Sequence, residues 1–217
     1  MPQQPMIVGE TVLIVVDFQK GSDLPIEESA IPMMPGTAER VAIAERIVAA
    51  ARAAGIPIVF LQEVHRRSLI DFGRELDGTE GIHLLEGDRG TELIDTLLPR
   101  DDEFHIVKRR YSGFIGTDLE IVLRALRAQT LILIGGLTDV CVHYTFADAH
   151  QRDFYVRVVT DCVGGSSLAR HTASLDAMEY LQSGSNRTST EVIAAFEEIA
   201  LSRSTTELVD VPTLVEA

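Results

Sequence analysis

Five short runs rich in Val, Ile and Leu recur along the chain, Thr11 to Val16, Pro57 to Leu61, His105 to Val107, Leu131 to Ile134 and Tyr155 to Thr160, with segments of helical spacing between them. A continuously apolar strand must be covered on both faces, and strands joined through helices run parallel. The alternation therefore predicts an α/β fold, a three-layer αβα domain with a doubly wound, mostly parallel sheet. Thr37 to Ala54 places Val41, Ala44, Ile47, Val48 and Ala51 on one face and stops at Gly55, ahead of Ile56 and Pro57. Further helices are predicted over Thr91 to Leu98, Asp118 to Ala128, Cys141 to Gln151 (capped by Thr138 or Asp139), His171 to Gln182 and Thr190 to Leu201.

At 217 residues and 46% hydrophobic content the chain suits one domain spanning 1–217. Residues 66–90 interrupt the alternation with Gly73, Gly78, Gly81 and Gly87 among mixed charges, the composition of a surface insertion or a lid. Residues 207–217 form an acidic tail without a clear period. The net charge of −14 argues against nucleic acid and anionic membrane surfaces as partners. No apolar stretch is long enough to span a bilayer. Two cysteines and an amino terminus without a basic-then-apolar leader are expected of a cytoplasmic protein.

In open parallel sheets ligands gather beyond the carboxyl ends of the strands. The five runs lead in turn to Asp17, then Glu63 and His65, then Lys108, then Thr138, Asp139 and Cys141, then Asp161. Lys108 is one of only two lysines, against 17 arginines, so lysine is hardly used for general surface charge. It either snorkels to solvent or fixes a positive charge beside a nucleophile. Cys141 comes after Gly135 and Gly136 near a helix start, where the helix dipole would lower a thiol pKa and backbone amides could hold an oxyanion. Its bland alternative, a small buried apolar side chain, also fits, and Cys162 is left with that role. His143 and His150 are poorly spaced to serve the thiol, which makes Asp17 the better proton acceptor. No Gly-x-Ser-x-Gly elbow, Gly-x-Gly-x-x-Gly turn or Walker motif occurs.

Val-Val-Asp-Phe-Gln at 15–19, Lys108 followed by Arg-Arg-Tyr-Ser-Gly-Phe, Gly-Gly-Leu-Thr-Asp-Val-Cys-Val at 135–142, Ala147-Asp148-Ala149 and Asp161 together resemble the isochorismatase-like cysteine hydrolases. The likeness runs from about Thr11 to Ser167. It implies an Asp17, Lys108, Cys141 catalytic triad, a cis Gly136–Leu137 peptide, and an oxyanion hole from the backbone amides of Leu137 and Cys141. It also implies a homodimer or homotetramer. Retention of the cysteine points to amide chemistry through a thioester. Nicotinamidases of the family carry an Asp-x-His metal motif with a further histidine soon after it. Here Glu63 takes the aspartate's place before His65, and no second histidine occurs until His83. The expectation is therefore a hydrolase of linear amides with no metal or other cofactor, acting on a small ureide or carbamoyl compound. The alternatives are a metal-bearing nicotinamidase or a catalytically silent interaction subunit. Candidate substrate contacts are Phe18, Gln19, Glu63, His65, Arg66, Tyr111, Ser112, Phe114 and Thr117. Arg66, Arg67, Arg109 and Arg110 flank the expected pocket, and one pointing inward would favour a substrate with a carboxylate or several carbonyl oxygens.

Overall fold

The computed structural model describes residues 4–209. Six strands form one sheet: β1 Glu10–Val16, β2 Ile58–Glu63, β3 Phe104–Lys108, β4 Ala128–Gly136, β5 Tyr155–Gly164 and β6 Asn186–Arg187. Their order is β3-β2-β1-β4-β5-β6 and every pairing is parallel, as the apolar runs predict. The two-residue β6 has no apolar run to announce it. The helices are α1 Ile26–Ser29, a single turn, α2 Thr37–Ala53, α3 Leu119–Ala125, α4 His143–His150, α5 Leu168–Leu181 and α6 Ser189–Val209.

The pleat sorts alternate strand residues to opposite faces. Leu13, Val15, Ile58, Phe60, Ile132 and Ile134 pack with Ala44, Ile47 and Val48 of α2 and Phe196 of α6. On the other face Val12, Ile14, Val16, Leu61, Leu131 and Leu133 pack with Leu119 and Leu123 of α3, Phe146 of α4 and Met178 of α5. Each such fully buried side chain contributes about 1.5–3 kcal/mol relative to exposure, so the two clusters hold both helical layers to the sheet.

Four local expectations are corrected. Thr91 to Leu98 forms no α-helix but two 3₁₀ turns, Arg89–Thr91 and Asp95–Leu97. Its backbone pairs instead with the chain after β1: Lys20 N–H donates to the Glu92 carbonyl (2.8 Å) and Ile94 N–H to that of Phe18 (3.0 Å). Neither Thr138 nor Asp139 caps α4, because a π-helical turn, Thr138–Val142, precedes it. Thr138 shares a hydrogen bond with His171 Nδ1 (2.9 Å), and Asp139 accepts from the Ser166 amide (2.8 Å) and hydroxyl (2.5 Å). Helix α5 begins three residues before His171, where Ser167 Oγ accepts from the Arg170 amide. Because β5 runs on to Gly164, Asp161 lies within a strand, where it accepts from the Ser189 amide (2.8 Å) and hydroxyl (2.6 Å) at the head of α6.

The insertion at 66–90 is folded down rather than left loose. His65 N–H donates to the Leu84 carbonyl and Glu86 N–H to that of His65, both at 2.8 Å. Phe72 stacks on the His65 ring with centroids 3.9 Å apart. The expected tail begins inside α6 at 207–209, and residues 210–217 lie outside the described residues. Among the described residues no helix is long and apolar enough to cross a membrane.

Candidate active site

Strand order reverses at the central pair, since β1 leads outward to β2 and β3 while β4 leads to β5 and β6. A crevice opens beyond the strand ends at such a point. Asp17 leaves β1 with φ 50°, and Gly135 near the end of β4 has φ 120°. A Cβ at Gly135 would lie 1.9 Å from the Val16 carbonyl oxygen, so only glycine lets the two strand ends approach. The Gly136–Leu137 peptide is cis, as the resemblance implies, and the π-helical turn just beyond it carries Cys141. On the other side Lys108 at the end of β3 stands in register with Glu63 at the end of β2.

These strand ends converge on one ammonium group. Lys108 Nζ is 2.9 Å from Asp17 Oδ2 and 3.4 Å from Cys141 Sγ, and it also pairs with Glu63 Oε2 and donates to the Arg110 carbonyl (3.1 Å). The Cys141 thiol donates to Glu63 Oε2 at 3.3 Å. Polar atoms of Asp17, Glu63 and Cys141 all lie within 4.8 Å of one another. Lys108 is fully buried, so it does not snorkel to solvent.

Burial lowers the Lys108 pKa, but Asp17, Cys141 and Glu63 more than offset it, and the ammonium stays charged well above its usual range. Burial raises Glu63, yet Lys108 and hydrogen bonds from His65 and His83 hold it well below the ordinary carboxylate range. Asp17 is pushed up to about 6, mainly by burial and further by Glu63, against the pull of Lys108. Burial also pushes the Cys141 thiol well above its ordinary range, with Glu63 and Asp17 adding to it and Lys108 opposing. The expected lowering by a helix start does not occur. The thiol sits in a π-helical turn among carboxylates, and a neutral thiol beside an aspartate of raised pKa is the arrangement that results.

Behind Glu63 lies a second cluster. Glu63 Oε1 is 3.2 Å from His65 Nε2 and 3.3 Å from His83 Nε2, and His65 Nε2 is 3.1 Å from Glu75 Oε2. One ligand atom of each of these four buried residues lies within 4.8 Å of all the others. Two imidazoles and two carboxylates at this spacing fit a divalent ion such as zinc. The shortage of ligands inferred from the sequence is thus corrected, because the insertion folds His83 and Glu75 back against Glu63 and His65. Without an ion the cluster is balanced by protons: burial lowers His65, but Glu63 and Glu75 outweigh it and hold its pKa at about 9.

Above the thiol is a cavity of about 530 Å³ including its mouth, with Asp17, Gln19, Glu63, Glu80, His83, Tyr111, Leu137 and Cys141 in its lining. Ile31, Met33, Leu84 and Val140 supply apolar walls.

The family model described as Isochorismatase domain matches residues 11–192. The chain belongs to the isochorismatase family. This isochorismatase-family chain is 33% identical over 172 residues to the ureidoacrylate amidohydrolase RutB of Methylorubrum extorquens, covering 70% of this chain and 68% of the relative. A cysteine hydrolase from Pseudomonas syringae pv. phaseolicola superposes with a TM-score of 0.81 at 30% identity, covering 92% and 99% of the two chains. The N-carbamoylsarcosine amidase of Thermoplasma acidophilum gives 0.69 at 28% identity, covering 83% and 96%. The enzyme class expected from the sequence, a hydrolase of non-peptide carbon–nitrogen bonds, agrees with these relatives.

Of the substrate contacts expected for this isochorismatase-family chain, Gln19, Glu63 and Tyr111 line the cavity. Gln19 is nevertheless committed to the framework: its Nε2 donates to the Glu63 (2.8 Å) and Thr91 (2.7 Å) carbonyls, and its Oε1 accepts from the Glu63 amide (3.1 Å). His65 lies behind Glu63, sealed from the cavity by full burial. Phe18 and Phe114 are core side chains on opposite faces of the sheet. Ser112 and Thr117 are absent from the cavity wall and serve the loop before α3, Ser112 Oγ accepting from the Phe114 amide (3.2 Å) and Thr117 Oγ1 from that of Leu119 (3.2 Å). Arg66 is exposed, its amide held by Asp71. Glu75, Glu80, Ile31 and Met33 carry no signal in the sequence, because they lie in loops with no periodicity to mark a buried face.

Proposed function

We propose that this chain is a cysteine-dependent amidohydrolase that cleaves the linear amide C–N bond of a small ureide or carbamoyl compound through a thioester on Cys141. The observation that carries the reading is the convergence of a thiol, an ammonium and a carboxylate beside a cavity, with Lys108 Nζ 3.4 Å from Cys141 Sγ and 2.9 Å from Asp17 Oδ2. Besides Lys108, the Asp17 carboxylate has the Cys141 thiol as its hydrogen-bonding neighbour, which sets it to take the thiol proton. Asp17 accepts the thiol proton as Sγ forms its bond to the carbonyl carbon, and Lys108 stabilises the developing thiolate. The backbone amides of Leu137 and Cys141 receive the oxyanion. Collapse breaks the C–N bond, and Asp17 returns the proton to the departing ammonia or amine. Water then gives a proton to Asp17 and attacks the thioester carbon, collapse breaks the C–S bond to release the acid, and Asp17 returns the proton to the sulfur.

An ammonia-release screen over ureides, carbamoyl amino acids, maleamate-like acids and nicotinamide tests the reading. We expect turnover of a ureide or carbamoyl compound, with Cys141→Ala and Cys141→Ser reduced at least about a thousandfold, since each removes the nucleophile itself. Parental rates in either variant would eliminate the thioester route. Silence over the whole panel would instead favour a non-catalytic family member.

The Glu63, His65, Glu75 and His83 cluster favours one second reading, a metal-dependent amidase of the nicotinamidase type. Those four residues would hold the ion, and it would supply a Lewis acid beside the nucleophile. Stoichiometric zinc in the purified protein, with nicotinamide turnover lost on chelation and regained on adding zinc back, would establish that reading over the first.

A further inference from the structure

The cavity wall has a one-sided charge. Asp17, Glu63 and Glu80 line it, and neither lysine nor arginine does. Lys108, deeper in, is spent on Asp17 and Glu63. The wall's histidine, His83, points Nε2 at Glu63 Oε1 and Nδ1 at the Gly81 carbonyl (2.7 Å).

Of the four arginines that flank the expected pocket, Arg66 is exposed and the other three are engaged elsewhere. Arg67 pairs with Asp88, Arg109 donates to the Val64 carbonyl and faces Asp71 (3.5 Å), and Arg110 donates to the Asp71 carbonyl. Arg40 borders a separate small cavity behind Asp17, where Pro35 (2.8 Å), Met34 (3.1 Å) and Thr37 (3.2 Å) take its protons. Arg170 lines a neighbouring pocket, with Glu75 and Asp139, that shares Glu80, Tyr111 and Val140 with the cavity. Glu80 differs from the other acids: half-buried in the wall, its carboxylate makes no hydrogen bond or salt bridge among the described residues, and its one favourable electrostatic neighbour is His83, whose ring nitrogens are already turned to Glu63 and Gly81. A partly desolvated carboxylate with no hydrogen bond of its own is costly unless a ligand supplies one.

We infer that this pocket selects amides carrying no negative charge, and that Glu80 is the specificity-determining residue, receiving a cationic or N–H-donating group of the substrate while the scissile carbonyl lies over Cys141. The inference rests on the amidohydrolase reading and narrows its substrate class. Ureidoacrylate and carbamoylsarcosine, named in the relatives, are carboxylates. A carboxylate in this cavity would face Glu80, Asp17 and Glu63, with His83, already turned to Glu63, as the one cationic side chain in the wall, whereas Ile31, Met33, Leu84 and Val140 suit an apolar body.

Three matched ureas of similar length decide it: 3-ureidopropionate, anionic; propylurea, neutral; and 2-aminoethylurea, cationic. Ammonia release gives kcat/KM for the parent and for Glu80→Gln. Calorimetric binding of the same three to Cys141→Ser gives an affinity order that does not depend on turnover. We expect the parent to favour the cationic and neutral ureas over the anionic one by at least about tenfold, the scale of one unpaired like-charge contact near a protein surface. Glu80→Gln should shrink that gap several-fold through KM, with propylurea little changed. Tightest binding of 3-ureidopropionate, or an order that Glu80→Gln leaves intact, would overturn the inference. If none of the ureas, nor any amide in the wider panel, is hydrolysed, the amidohydrolase reading falls, and the binding order still decides what charge the chamber accepts.

Discussion

In the proposed mechanism Asp17 carries two opposed demands, since it would have to stay charged enough to accept a proton and be buried enough to hand it on. Its pKa of about 6 reconciles them near neutral pH. The carboxylate is the active form, so kcat/KM should rise with pH and level off above about 6, and a pH–rate profile checks it. Asp17→Asn should lose that limb together with about 10²–10⁴-fold in rate, the usual contribution of a positioned base. Lys108 is the other extreme, a fully buried ammonium shared between two carboxylates and a thiol. Lys108→Met leaves Asp17 and Glu63 as uncompensated neighbours. We expect it to cost about 3–5 kcal/mol in urea unfolding, the scale for breaking a buried ion pair from one side.

At the scale of elements, the insertion hangs on Phe72, which is buried and stacked on His65. Phe72→Ala should cost about 3–5 kcal/mol, and if the stack also seats His83 and Glu80 it should raise KM more than it lowers kcat. Denaturation and steady-state kinetics separate the two effects. The strands are legible in the sequence because burial on both faces leaves unbroken runs such as Leu131 to Ile134. Asp17, Lys108 and Cys141 are legible because they stand at the strand ends, where topology alone brings residues together. Thr91 to Leu98 misleads because its apolar spacing is helical while its backbone groups pair across to Phe18 and Lys20. Such long-range pairing leaves no local trace. Glu75 and Glu80 are hidden because their segment has no period to mark a buried face, and His83 meets His65 only because the Gly-rich segment between them doubles back.

For the whole molecule, the buried charges set opposing limits on stability. His65, raised to about 9, contributes stability that is complete below its unfolded pKa of 6.5 and is lost as pH climbs through about 9. Glu63, held low, contributes stability that is present above its unfolded value of 4.5 and is lost as pH falls through its folded one. Asp17 acts in the opposite sense, its raised pKa weakening the fold as pH rises from 3.8 to about 6. For chelator-treated protein we therefore expect Tm to decline from pH 6.5 towards 9, read by scanning calorimetry. His65→Gln should start lower and lack that alkaline decline.

The reacting groups stand on strand ends locked by the sheet, whereas Ile31, Met33, Glu80 and Leu84 come from connecting segments. On the proposed function, bond cleavage and choice of amide would thus reside in different parts of the chain. Exchanging a few connecting-segment side chains would then retune which amide is taken while the groups beneath stay in place.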